Sequence, residues 1–155
     1  MKLKFAGRFF RKSVRSYNFG IDLKNETRSS KLMTKRVLNV GQCVPDNASI
    51  SRMLQKNFQV EIEQGHQAAD TLGRLREKKY DLVLINRKLD ADYTDGLDII
   101  RTMKADAHLK DIPVMLVSNY PEHQDRAVAE GAEPGFGKME LGTPSTLTKL
   151  QRFLA

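Results

Sequence analysis

Tyr80-Asp81-Leu82-Val83-Leu84-Ile85-Asn86-Arg87-Lys88 is the stretch on which the fold turns. Leu82 to Ile85 are apolar without alternation, so neither face of the strand they form is wet. A strand buried on both faces belongs in the middle of a parallel sheet. Val114-Met115-Leu116-Val117, entered through Pro113, repeats that character. Upstream, Val37-Leu38-Asn39-Val40 reads as a short buried strand. Phe58, Val60 and Ile62 alternate with Gln59, Glu61 and Glu63, as an edge strand with one solvated face should.

Helical patterns separate these strands. Ile50, Met53 and Leu54 recur at i, i+3, i+4 after a start near Pro45-Asp46. Ala69, Leu72 and Leu75 mark a second helix, and Asp95-Gly96 opens a third carrying Ile99, Ile100 and Met103. A weaker helix runs from about Pro121 to Glu130 and stops at Gly131. Phe136 falls in a short last strand. Thr143-Pro144 places an N-cap before a proline at the first helical position, and Leu147, Leu150, Phe153 and Leu154 form the stripe of a closing helix. The expectation is an α/β fold, a doubly wound five-stranded parallel sheet covered on both faces.

The chain has 155 residues, enough for one domain with a proper core. The net charge of +7 is unevenly spread. Residues 1–36 hold eleven Lys/Arg against two acids, whereas residues 37–155 hold fifteen against seventeen. The sequence therefore divides into a basic leader, residues 1–35, and a nearly neutral domain, residues 36–155. The leader reads as a disordered tail or a translation-start artefact, with Met33 just ahead of the first strand. Its other readings are a helix lined by Leu3, Ala6, Phe10 and Val14 against an anionic membrane surface or a partner, and nucleic-acid binding through Phe9 and Phe10 between Arg8 and Arg11. No apolar run is long enough to span a bilayer, and no secretory signal is recognisable. Cys43 is the single cysteine, so no intrachain disulfide is expected and the cytoplasm is the default location.

In an open parallel sheet, ligands bind outside the carboxyl ends of the strands. Those ends present Gly41-Gln42 after the first strand, Asn86 after the third, Ser118 after the fourth and Lys138 after the fifth. Together with Asp81 to Ile85, Asp95-Gly96-Leu97 and Gly131-Ala132, this order resembles the receiver domain of bacterial response regulators, over residues 36–155. The resemblance implies a CheY-like strand order, 2-1-3-4-5, and a role in two-component or phosphorelay signalling. It also implies a site with an acidic pair after the first strand, a phosphoacceptor aspartate after the third, Ser/Thr after the fourth and Lys after the fifth. Here Ser118 and Lys138 keep the last two positions. Gly41 and Gln42 replace the acidic pair, and Asn86 replaces the phosphoacceptor.

That replacement removes three carboxylates and leaves the lysine. One unit-charge contact at ~4 Å is worth about 4 kcal/mol at an effective dielectric near 20, so Mg²⁺ binding is expected to be weak or absent, and no other cofactor or metal site is expected. An amide is not a useful nucleophile, so no aspartyl phosphorylation and no enzymatic activity are expected at Asn86. The chain reads as a phosphorylation-independent pseudo-receiver that binds a protein partner, or a second copy of itself, through the face of the fourth helix, fifth strand and fifth helix. The alternative within the fold is an atypical receiver phosphorylated at a displaced acid, Asp90 or Asp92.

Smaller signals have plainer readings. Ser118 and Lys138 are expected to hydrogen-bond Asn86 and hold the pocket in one state, with anion binding by Lys138 as a second use. Gly135-Phe136-Gly137-Lys138 resembles the end of a P-loop but fails at Ala132 and Met139, so its glycines are read as points of close backbone approach. Lys138-Met139 departs from the family's Lys-Pro. Cys43 is read as an inert loop thiol beside the pocket, and His66, His108 and His123 as surface residues without ligand spacing. Asn119 is expected to narrow access to the pocket, and Tyr120 to lie on the partner face or pack without a role.

Overall fold

The computed structural model describes residues 34–155, so the expectations for residues 1–33 lie outside the described residues. The chain alternates β1 (Lys35–Val40), α1 (Val44–Asn57), β2 (Val60–Gly65), α2 (Ala68–Glu77), β3 (Leu82–Asn86), α3 (Gly96–Ala105), β4 (Val114–Val117), α4 (Pro121–Ala129), β5 (Glu133–Phe136) and α5 (Pro144–Leu154). The strands form one sheet in the order β2-β1-β3-β4-β5. Every pairing is parallel, with Val37 opposite Leu82 and Asn86 opposite Val117. The parallel arrangement gathers the carboxyl ends of β1, β3, β4 and β5 along one edge.

Alternation along each strand divides the core into two layers. Leu38, Val40, Val83, Ile85, Val114 and Leu116 face Leu75 of α2, Ile99, Ile100 and Met103 of α3 and Ala127 of α4. Val37, Leu82, Leu84, Met115, Val117 and Phe136 face Ile50 and Leu54 of α1 and Leu150 and Leu154 of α5. Each fully buried aliphatic side chain contributes about 1.5–3 kcal/mol relative to exposure. The expected central strands are therefore central because both of their faces are dry.

Two assignments differ in detail. Phe58 is not a strand residue but the C-cap of α1, its N–H donating to Leu54 O at 2.8 Å. Ala69 is exposed, and α2 instead buries Thr71 and Leu75 with Ala68 and Leu72 packed alongside. The weak fourth helix has a physical reason. α4 buries only Ala127 and is tied down by Gln124. Gln124 Nε2 donates to Leu116 O at 2.9 Å and to Ser118 O at 3.1 Å, while its Oε1 accepts from Gly135 N at 3.1 Å.

Candidate functional site

Strand ends and the loops after them build the site. β1 ends in a turn at Gly41, whose φ of 73° lies in the left-handed region that glycine tolerates best. A Cβ there would run into the Leu89 side chain and lie 3.0 Å from Leu89 Cα. Leu89 itself is fully buried. The loop after β3 is thus seated on the loop after β1, and Asp90 N–H seals the contact by donating to Gly41 O at 3.0 Å. An acidic side chain at this position is not merely missing; its space is filled.

Asn86 closes the same gap from the other side. Its Nδ2 donates to Gly41 O at 3.1 Å and to Lys88 O at 2.7 Å, and its Oδ1 accepts from Arg87 N at 3.1 Å. The amide therefore works as a backbone clamp between two loops. Gln42 is 3% exposed, and neither of its amide atoms finds a hydrogen-bond partner among the described residues. It offers a neutral oxygen, a poor ligand for a hard divalent cation.

Lys138 and Ser118 do not hold Asn86, contrary to expectation. Lys138 Nζ donates to Asp46 Oδ2 at 2.6 Å, a half-buried ion pair across the mouth of the first loop. Asp46 stands in the first turn of α1. The hydrogen bond from Lys138 holds its carboxyl below the usual range; burial opposes this, and the Cys43 thiol, donating at 3.1 Å, adds to it. Cys43 therefore meets a carboxylate first. Ser118 Oγ lies 2.8 Å from His123 Nδ1 and accepts from Tyr120 N at 3.3 Å. His123 is thus a half-buried partner of the pocket and not a free surface residue, whereas His66 and His108 are exposed.

The remaining loop residues are structural. Asn119 Oδ1 accepts from Met139 N at 3.0 Å, and a Cβ on Gly137 would lie 2.9 Å from Asn119 Cα. That is the close approach expected of the glycines around β5. The Lys138–Met139 peptide bond is trans. Arg87, which the sequence reading passed over, pairs with Asp95 at 2.8 Å, and Asp95 also caps α3 by accepting from Leu97 N at 2.9 Å. Asp92 is exposed and held by Thr94 through its N–H at 3.0 Å and its hydroxyl at 2.6 Å. Neither Asp90 nor Asp92 lines the cavity shared by Asn86, Ser118 and Lys138. That cavity, of about 370 Å³, is bordered by Arg87, Lys88, Val117, Asn119, Tyr120 and His123 as well.

These side chains do not fit a magnesium ion. Gly41 has no donor beyond its backbone, Asn86 is committed to Gly41 O, and the Asp46 carboxylate is committed to Lys138. Among the described residues no cluster of three or more His, Cys, Asp or Glu is placed to hold a metal.

Strand order, loop placement and the surviving Ser118 and Lys138 invite comparison with solved structures. The chemotaxis response regulator CheY4 of Vibrio cholerae superposes with a TM-score of 0.62 at 21% identity, covering 78% of this chain and 99% of that one. The fold is that of a response-regulator receiver domain. The signal receiver domain of a DNA binding response regulator from Colwellia psychrerythraea 34H gives 0.66 at 21% identity, with coverage of 76% and 96%. The Mn(2+)-bound form of response regulator Rcp1 gives 0.57 at 17%, with coverage of 75% and 88%. No protein-family model matches the chain, and no curated protein does. Among the described residues no helix of this receiver fold is long and apolar enough to cross a membrane.

Proposed function

We propose that this chain is a signalling module of the two-component or phosphorelay type that works in the cytoplasm without phosphorylation, by binding protein. The observation that supports this most is the Asn86 clamp. A phosphoacceptor must present a free anionic oxygen to an incoming phosphoryl group, with a divalent cation beside it. Asn86 presents a neutral amide bonded to Gly41 O, and Lys138 already has its counter-ion in Asp46. Asn86 and Lys138, at the phosphoacceptor and lysine positions, are thus both satisfied from within the chain. The module then acts as a fixed shape and not as a phosphate-driven switch.

The surface proposed for the partner, or for a second copy of the chain, is the face of α4, β5 and α5. Val128 is 43% exposed there, beside a groove lined by Gln124, Asp125, Pro134, Gly135 and Lys149. The decisive experiment is incubation of the full chain with acetyl phosphate and Mg²⁺, read by intact mass. No gain in mass is expected. A stable adduct of one phosphoryl group would overturn the reading, and Asp90→Asn and Asp92→Asn would then test the displaced acids.

A further inference from the structure

The cavity at the ends of β3 and β4 has a lining that the clamp does not explain. Arg87, Lys88 and Lys138 border it, and no carboxylate does. Arg87 and Lys138 have counter-ions, Asp95 and Asp46, which lie outside the lining. Lys88 makes no ion pair among the described residues and is exposed at the mouth. The α4 helix starts beside it at Pro121, after the cap residue Tyr120, and adds the positive end of its dipole. The charged part of the cavity therefore favours an anion.

The rest of the lining mixes the polar Asn86, Ser118 and Asn119 with an aromatic pair, Tyr120 and His123. Val117 is fully buried, and the Tyr120 ring, 59% exposed, leans on His123 with centroids 5.1 Å apart and planes at 60°. The volume of about 370 Å³ falls within the range of ~300–1,000 Å³ typical of small-molecule sites. An inorganic anion would leave the Tyr120 ring uncovered, whereas an anion with an apolar body would cover it while its charge meets Lys88.

We propose that this cavity binds a small organic carboxylate with an aromatic or similarly apolar body, non-covalently and without metal. The ligand's ring lies against Tyr120 and His123, and its carboxylate takes Lys88 as counter-ion, with the Asn119 amide as a further donor. The site is the one read above as unable to take phosphate, so the inference rests on that reading for its vacancy. It adds a ligand to that reading, bound next to the proposed partner face.

The test is an amide-resolved ¹⁵N NMR titration of the full chain with benzoate, benzamide and inorganic phosphate in separate arms at constant ionic strength. Benzoate is expected to give saturable shifts at Lys88, Asn119, Tyr120 and His123, with about tenfold tighter binding than benzamide, equivalent to ~1.4 kcal/mol. Lys88→Gln and Tyr120→Ala, both at exposed positions, are each expected to weaken benzoate several-fold while the remaining spectrum stays folded. Equal binding of benzamide, phosphate binding as tight as benzoate, unchanged affinity in Lys88→Gln, or no shift around the cavity would each overturn the proposal. The acetyl phosphate experiment reads the earlier proposal separately: a chain that becomes phosphorylated yet binds benzoate loses that reading and keeps this one. An unmodified chain silent to benzoate does the reverse.

Discussion

Asp46 alters the chemistry of the pocket without occupying any of the family's acidic positions. Its carboxylate neutralises Lys138 at 2.6 Å, so the lysine is engaged before any ligand arrives. The ion pair is half-exposed, and Asp46→Asn is expected to cost about 1 kcal/mol at neutral pH, as for other solvent-screened pairs. The sign of the pH dependence follows from the lowered carboxyl value, caused first by the Lys138 hydrogen bond. A carboxyl whose folded value is depressed contributes stability that is complete above its unfolded value, near pH ~4, and is lost as pH falls through the folded one. Urea midpoints of the parent and Asp46→Asn should therefore differ at neutral pH and converge in acid. A gap that persists below the carboxylate range would show that Asp46 acts through packing instead.

At the level of elements, two glycines in helices predict opposite outcomes. Gly96 begins α3 where a Cβ would strike Asn86 O and approach Ile85 Cγ2 at 2.7 Å. Gly96→Ala must move the end of β3 and is expected to destabilise by about 1–3 kcal/mol. Gly73, inside α2, has open space around a Cβ, so Gly73→Ala is expected to stabilise by about 0.5–1 kcal/mol. Both changes are read from denaturant midpoints. The strands were legible because a parallel sheet demands unbroken apolar runs, and Leu82 to Ile85 supplied one. The helix boundaries were less so: Phe58 alternates correctly with Val60 yet caps α1, and Ala69 has the right spacing on the wrong face. Positions 41, 42 and 86 could be placed at strand ends from strand order, and the acids they lack only from the resemblance to receiver domains. Their partners could not. Lys138 and Asp46 are 92 residues apart, and the Ser118–His123 contact depends on how the first turn of α4 sits over β4. Pro45-Asp46 and Pro121 with His123 two residues on were the available signals, since each places a polar side chain in a first helical turn beside the site.

For the molecule as a whole, the two sheet faces are covered and the loops at the carboxyl edge are tied to one another. Among the described residues, Val128 leaves apolar surface exposed on the α4, β5 and α5 face proposed above for a partner. If the chain pairs with itself there, sedimentation velocity should show association at micromolar concentration that Val128→Glu abolishes while the circular dichroism spectrum is retained. A parent that stays monomeric would direct the proposal to a different protein partner. The turn at Gly41 also restricts which residues the site tolerates. Any larger residue there meets Leu89, and a new carboxylate at position 86 would lose the bonds Asn86 makes to two loops. An acidic residue at either of these two positions thus weakens the fold before it supplies any chemistry. Positions 41 and 86 are therefore held by packing and hydrogen bonding, and a substitution at either one is felt first as lost stability.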